Sequence, residues 1–234
     1  MKRFPWLFTL LWLLILVVML SAGFWQLNRA EEKRLMAKRM SAGQTAVPTS
    51  AKDWAQLQAF DQVMITGHFQ PQQFLLSNQI VDGQVGFFVF TAFTTVNQLH
   101  LLVNRGWVAT ADAEIQVTDH EVQLTGLVAD WPRPGIQLGE QILTEQQQQV
   151  VTYLPPDLTR QWLQDQLCQP AACEVLSQVM KLSPEAPLGF VRKWQAPVMT
   201  PAKHQAYAVQ WFSMSAVLLL VWLIFIRKHY AGKD

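Results

Sequence analysis

The residues with the clearest chemical potential sit in one stretch, residues 204–227, reading HQAYAVQWFSMSAVLLLVWLIFIR. On a helix, His204, Tyr207 and Trp211 are spaced i, i+3 and i+7 and share one face. A neutral imidazole is a nitrogen ligand, and tyrosine and tryptophan offer flat apolar surfaces. No charged residue occurs from Ala206 to Ile226, a run as long as the ~20 apolar residues a helix needs to cross a bilayer. A ligand nitrogen followed by two aromatics at the mouth of a membrane span suits a flat, apolar, metal-bearing molecule. The same residues also suit an interfacial belt, since Tyr and Trp gather at headgroup depth in any membrane protein.

The other histidines are less telling. His68 and His100 fall in predicted strands beside apolar neighbours, as ordinary surface or core residues do. His120 is in a loop, and His229 follows the second span among basic residues, as a headgroup contact. Only His204 combines a membrane mouth with aromatic neighbours, and a neutral imidazole is a common axial ligand of heme iron. Cys168 and Cys173 form C-x4-C around Pro170. In an exported domain the simplest reading is a disulfide closing a small loop; free thiols and a soft-metal site such as copper are the alternatives. A metal would want a third ligand, and no His or Met lies between Gln161 and Val179. G-x-S-x-G, the P-loop, H-E-x-x-H and G-x-G-x-x-G are all missing, and the carboxylates are scattered. The expectation is a protein that is not an enzyme.

Around these residues the chain divides by composition. It has 234 residues, half of them apolar, ten tryptophans and a formal charge of +1. The near-neutral balance argues against a nucleic-acid partner, which would want a basic face. Residues 7–25 carry no charge; the run is longer than a signal-peptide core and Ser21-Ala22-Gly23 is a poor cleavage site, so an uncleaved anchor is expected. Short basic ends, Lys2 and Arg3 in front and Arg227, Lys228 and Lys233 behind, place both termini in the cytoplasm by the positive-inside rule. The basic cluster from Arg29 to Arg39 opposes that placement, but a long loop translocates regardless of its charge. The expected layout is therefore a cytoplasmic N-terminus (1–5), a first span (6–25), a juxtamembrane helix (26–40), a periplasmic β-rich domain (41–205), a second span (206–226) and a cytoplasmic tail (227–234).

Gln26, Arg29 and Lys33 make a polar stripe as the first helix leaves the membrane. Arg29 there serves either as a headgroup contact or as the partner of a ligand's anionic group. From Phe60 the apolar period shortens to two, and five or six short strands with turns between them predict an antiparallel sheet or small barrel. Residues 146–149, all glutamine, are expected at a solvated loop tip. A helix is predicted at 156–167, with Asp157 or Thr159 as its cap, and the last strands at 174–182 and 188–194. The fold class expected is α+β: two transmembrane helices flanking an antiparallel, barrel-like β domain.

Three stretches in this order, GFWQLNRAEEKR after the first span, LLVNRGWV in the middle and PAKHQAYAVQWF entering the second span, resemble the Surfeit-locus cytochrome oxidase assembly family (Surf/Shy proteins). The resemblance runs from Gly23 to about Trp222; the Cys168–Cys173 segment and the helix around Trp162 look like additions to it. It implies an assembly factor for the heme–copper oxidase of a respiratory chain in a bacterial inner membrane, carrying heme A to the oxidase large subunit, with heme A synthase as a further partner. The histidine tied to heme in that family falls on His204, the expected metal ligand. Gly23, Trp25, Gln26 and Arg29 match the first motif, Asn104, Arg105, Gly106 and Trp107 the second, and Tyr207, Gln210 and Trp211 the third. Physically, heme A has an apolar tail for lipid or an interhelical groove, a ring for Trp211 or Tyr207, an iron for His204 and carboxylates for Arg29, with Gln26 and Trp25 lining the same site. The alternatives are a cofactor-free scaffold holding the large subunit through the β domain, and a copper donor acting through Cys168 and Cys173.

Overall fold

The computed structural model describes residues 6–41, 45–133, 137, 139–168, 173–194 and 199–231, without the side chains of 40, 41, 230 and 231. Lys2 and Arg3, Pro134 and Gly135, Pro170, Pro197 and Lys233 lie outside the described residues. The chain forms two compact units, residues 1–38 with 195–234, and residues 39–194.

The first unit is a pair of long helices, α1 (Trp6–Ser41) and α4 (Pro201–Ala231). Residues 6–41 contain no proline, so α1 runs unbroken from the apolar span into the charged 26–40 segment. Both helices are long and apolar enough to cross a membrane. Leucine and valine side chains along them stay exposed, Leu7 by 84 % and Val209 by 65 %, a surface that lipid covers and water does not favour. The helices run antiparallel: Phe8 meets Phe225 with ring centroids 4.8 Å apart, and Phe24 meets Phe212 edge-on at 5.3 Å. Small buried residues, Thr9, Gly23 and Ala30 on α1 and Ala208 and Ser215 on α4, line the seam, as expected where dispersion rather than water drives association.

The second unit is built on β2 (Gln62–Val81), whose first half buries every other residue. Beside it lie β1 (Thr45–Ala46), β3 (Gln84–Thr95), β4 (His100–Val108), β5 (Val122–Ala129), β6 (Gln148–Val151) and β7 (Val175–Leu182), with short helix α2 (Ala51–Ala55) and α3 (Pro156–Leu167). The order is β1-β2-β3-β4-β7-β5, and β5 pairs back onto β2, so the pairing closes on itself. One core cluster gathers Trp54, Val63, Ile65, Phe93 and Leu124, and a second gathers Phe74, Phe90, Leu154 and Leu163 under α3.

The class is α+β as expected, with four local corrections. The sheet is mixed rather than antiparallel: β4–β7, β2–β6 and β1–β2 are parallel pairs. Period-two burial reports which face is covered and is blind to strand direction, which the connections decide; for β4–β7 the chain returns through β5, β6 and α3. The glutamine run is no loop tip: Gln148 and Gln149 start β6, and Gln149, 6 % exposed, accepts from the Thr144 amide at 2.7 Å. Residues 188–194 supply only a bridge between Val191 and Trp107. Finally, α3 starts from Pro155 without a side-chain cap, and Thr159 is buried inside the helix.

Candidate functional site

A hydrogen bond joins the two helices near the charged end of α1. Gln26 on α1 and His204 on α4 meet with Oε1 and Nδ1 2.7 Å apart. An amide oxygen can only accept, so Nδ1 carries the proton and the lone pair resides on Nε2. His204 is 5 % exposed and lies on the same stripe as buried Ala208 and Ser215. A close approach in the seam falls at Gly23, one turn before Gln26: a β-carbon there would sit 2.7 Å from the Phe212 ring. Glycine at this position lets the helices come close enough for the glutamine amide to reach the imidazole.

The other expected site residues distribute by helical angle. Trp211, half-buried, follows His204 by nearly two full turns on the same stripe. Tyr207 is rotated outward and 46 % exposed. On α1, Trp25 and Arg29 also face outward: Arg29 lies over the Trp25 ring at 5.7 Å and pairs with Glu32 at 2.6 Å. The structure thus brings His204 and Gln26 together, while Trp25 and Arg29 form a separate exposed set with Glu32. A shallow groove of about 460 Å³ runs along α4 beside Tyr207, lined by Met199, Lys203, Ala206 and Gln210. Lys203 shares a helical stripe with Met199, Ala206 and Gln210, a spacing that the adjacent His204 pattern does not reveal.

The LLVNRGWV stretch makes up β4 after His100, and its polar side chains bond within the β unit. Arg105 falls at an irregularity in the β3–β4 register between Val89 and Phe90. The Asn104 side chain accepts from the Gly106 amide at 3.0 Å, and Gly106 takes φ +116°, open only to glycine. The bulge buries the Arg105 guanidinium between the Phe69 and Phe190 rings, 4.6 and 5.1 Å away, where it donates to the carbonyls of Leu188 and Gln116. Burial, with Arg192 nearby, pushes its pKa down to about 10, still protonated at neutral pH. Trp107 completes the clamp by donating from its indole to the Gln79 carbonyl at 2.9 Å. The same unit holds a cavity of about 290 Å³ lined by Phe88, Phe90, Asn104, Trp131 and Lys181 among others, and burial holds the Lys181 ammonium below its ordinary pKa.

The seam histidine, the glycine that admits it and the NRGW bulge all fall inside one match: the sequence profile of the SURF1 family covers residues 13–216. The chain belongs to the SURF1 family. Similar proteins include a SURF1-like protein of Rickettsia conorii, 25 % identical over 92 % of this chain and 89 % of its own length. A SURF1-like protein of Monosiga brevicollis is 25 % identical over 91 % of this chain and 85 % of its own. One from Rickettsia bellii is 32 % identical over 44 % of each chain. The family is linked to cytochrome c oxidase assembly, and membership together with two apolar helices makes this a membrane-associated member of it.

Proposed function

We propose that this protein carries heme A during assembly of cytochrome c oxidase, holding it at the His204 end of the helix pair and passing it to the oxidase large subunit. In this reading it takes its cargo from heme A synthase, acts as a carrier rather than an enzyme, and sits in a bacterial inner membrane with its β unit on the periplasmic side. The observation that carries the reading is the 2.7 Å contact between Gln26 Oε1 and His204 Nδ1. A metal-binding imidazole almost always donates its second nitrogen to an acceptor that fixes its tautomer and orientation. Gln26 does this for His204 and leaves Nε2 as the donor to iron. Trp211 on the same stripe offers a ring to stack on, the apolar flanks of α1 and α4 suit a hydrocarbon tail, and Lys203, next to His204, supplies a cation for the carboxylates. Bound heme A would be held through its iron by His204 and would supply no chemistry of its own here; the protein supplies grip and release. Because His204 is only 5 % exposed, loading and release go with a small opening of the seam at the level of Gln26.

The same hydrogen bond also favours a second reading, a cofactor-free scaffold in which His204 and Gln26 merely join two membrane helices. A visible absorption spectrum of the detergent-purified protein from cells that make heme A separates the two. The carrier shows a bound-heme spectrum that His204→Ala removes; a wild-type protein without heme absorption, or a variant that keeps it undiminished, overturns the proposal.

A further inference from the structure

In the β-rich unit three ligating side chains converge from separate elements. His100 opens β4, Cys168 ends α3, and Cys173 lies two residues ahead of β7. Parallel pairing sets His100 opposite Val175, and a disulfide joins Cys168 to Cys173 with their Cα atoms 5.3 Å apart. One ligand atom from each of the three lies within 4.8 Å of the others. The third ligand that is missing from the sequence around the cysteines is thus delivered by the start of a distant strand. His100 is 6 % exposed, and its Nδ1 lies 3.0 Å from the Thr94 hydroxyl, which orients the ring and leaves Nε2 for a metal. Cys168 sits at the C-terminal end of α3, where the helix carbonyls favour a cation and no basic side chain occupies the last turn.

We propose that His100, Cys168 and Cys173 form a redox-gated site for Cu(I), closed as the disulfide and open when reduced. Two soft thiolates and one imidazole are a donor set for a soft ion content with three ligands, whereas Zn(II) wants four in a tetrahedron. Opening needs two electrons and two protons from a dithiol reductant. A reductant thiolate attacks one Sγ, the S–S bond breaks, and the reductant leaves as its own disulfide, giving two cysteine thiols. Cu(I) then displaces both thiol protons to solvent as two S–Cu bonds and one N–Cu bond form, with copper at the same oxidation state throughout. The site is independent of His204 and of the heme reading.

The test is a competition titration of the full chain in detergent, reduced anaerobically with a phosphine and desalted, against a chromophoric Cu(I) chelator. The expected result is one Cu(I) withdrawn per reduced chain and none per oxidised chain. Cys168→Ser and Cys173→Ser each abolish the uptake, and Thr94→Val, with every ligand intact, weakens it by roughly 10–100-fold. His100→Gln also weakens it; should that variant misfold by circular dichroism, the serine and valine variants decide alone. The proposal is overturned if the reduced wild type binds copper no better than the double serine variant, if the oxidised protein binds equally well, or if the reduced site prefers Zn(II) to Cu(I) in the matching titration.

Discussion

Gln26 and His204 work as a pair, and the pair is separable by mutation. Gln26→Leu leaves the Nδ1 proton of a buried imidazole without an acceptor, which costs about 1–3 kcal/mol, and it frees the tautomer that aims Nε2. The expected outcome is a lower unfolding temperature in detergent and a roughly 10–100-fold loss of heme affinity, with Gln26→Glu, which keeps an acceptor, retaining most of both. A heme spectrum unchanged in Gln26→Leu would show that the contact orients nothing. Lys181 gives a pH-dependent counterpart in the β unit. Its pKa is lowered by burial from the ordinary 10.5, so between the two values the unfolded chain holds a proton that the folded protein has released. Stability therefore rises with pH through that window. Denaturant unfolding at a series of alkaline pH values up to 10.5 should show this slope in the wild type and a shallower one in Lys181→Met.

At the scale of elements, two glycines set how closely chains approach. Gly106 holds φ +116° at the bulge, and a β-carbon there would meet the Val191 carbonyl at 2.7 Å. Gly106→Ala therefore adds backbone strain and a backbone clash together, and about 2–4 kcal/mol of destabilisation is expected by denaturant titration. Because the bulge aims Arg105, the loop carbonyl of Leu188 loses its partner as well. Gly23 acts on the helix pair instead: Gly23→Val drives a branched side chain into the Phe212 ring and separates α1 from α4 where Gln26 reaches across. The heme reading predicts that this variant inserts in the membrane yet loses heme; retention of the full spectrum would place the cargo elsewhere.

At the scale of the molecule, the core clusters of the β unit, among the described residues, draw on residues between Ala46 and Phe190. A fragment of residues 45–194 should therefore fold in water without detergent, with a cooperative thermal transition followed by far-ultraviolet circular dichroism; an unstructured fragment would show that the helix pair is needed to hold it. Reduction of the disulfide in that fragment removes a short-loop cross-link, and a loss of about 2 kcal/mol is expected.

Much of this was legible in the sequence for a simple reason. Long uncharged runs and period-two alternation are local signals, each carried by neighbouring residues, so the two apolar helices and the strands could be read one stretch at a time. What joins stretches could not. That Gln26 rather than Arg29 meets His204, that β7 runs parallel to β4, that glutamines 148 and 149 enter a strand, and that His100 comes to the two cysteines all depend on which faces meet across tens of residues. Burial patterns name a face without naming its partner. Partner choice is settled by closure of the sheet and by the rotation of two helices about a small-residue seam, and both are properties of the assembled chain.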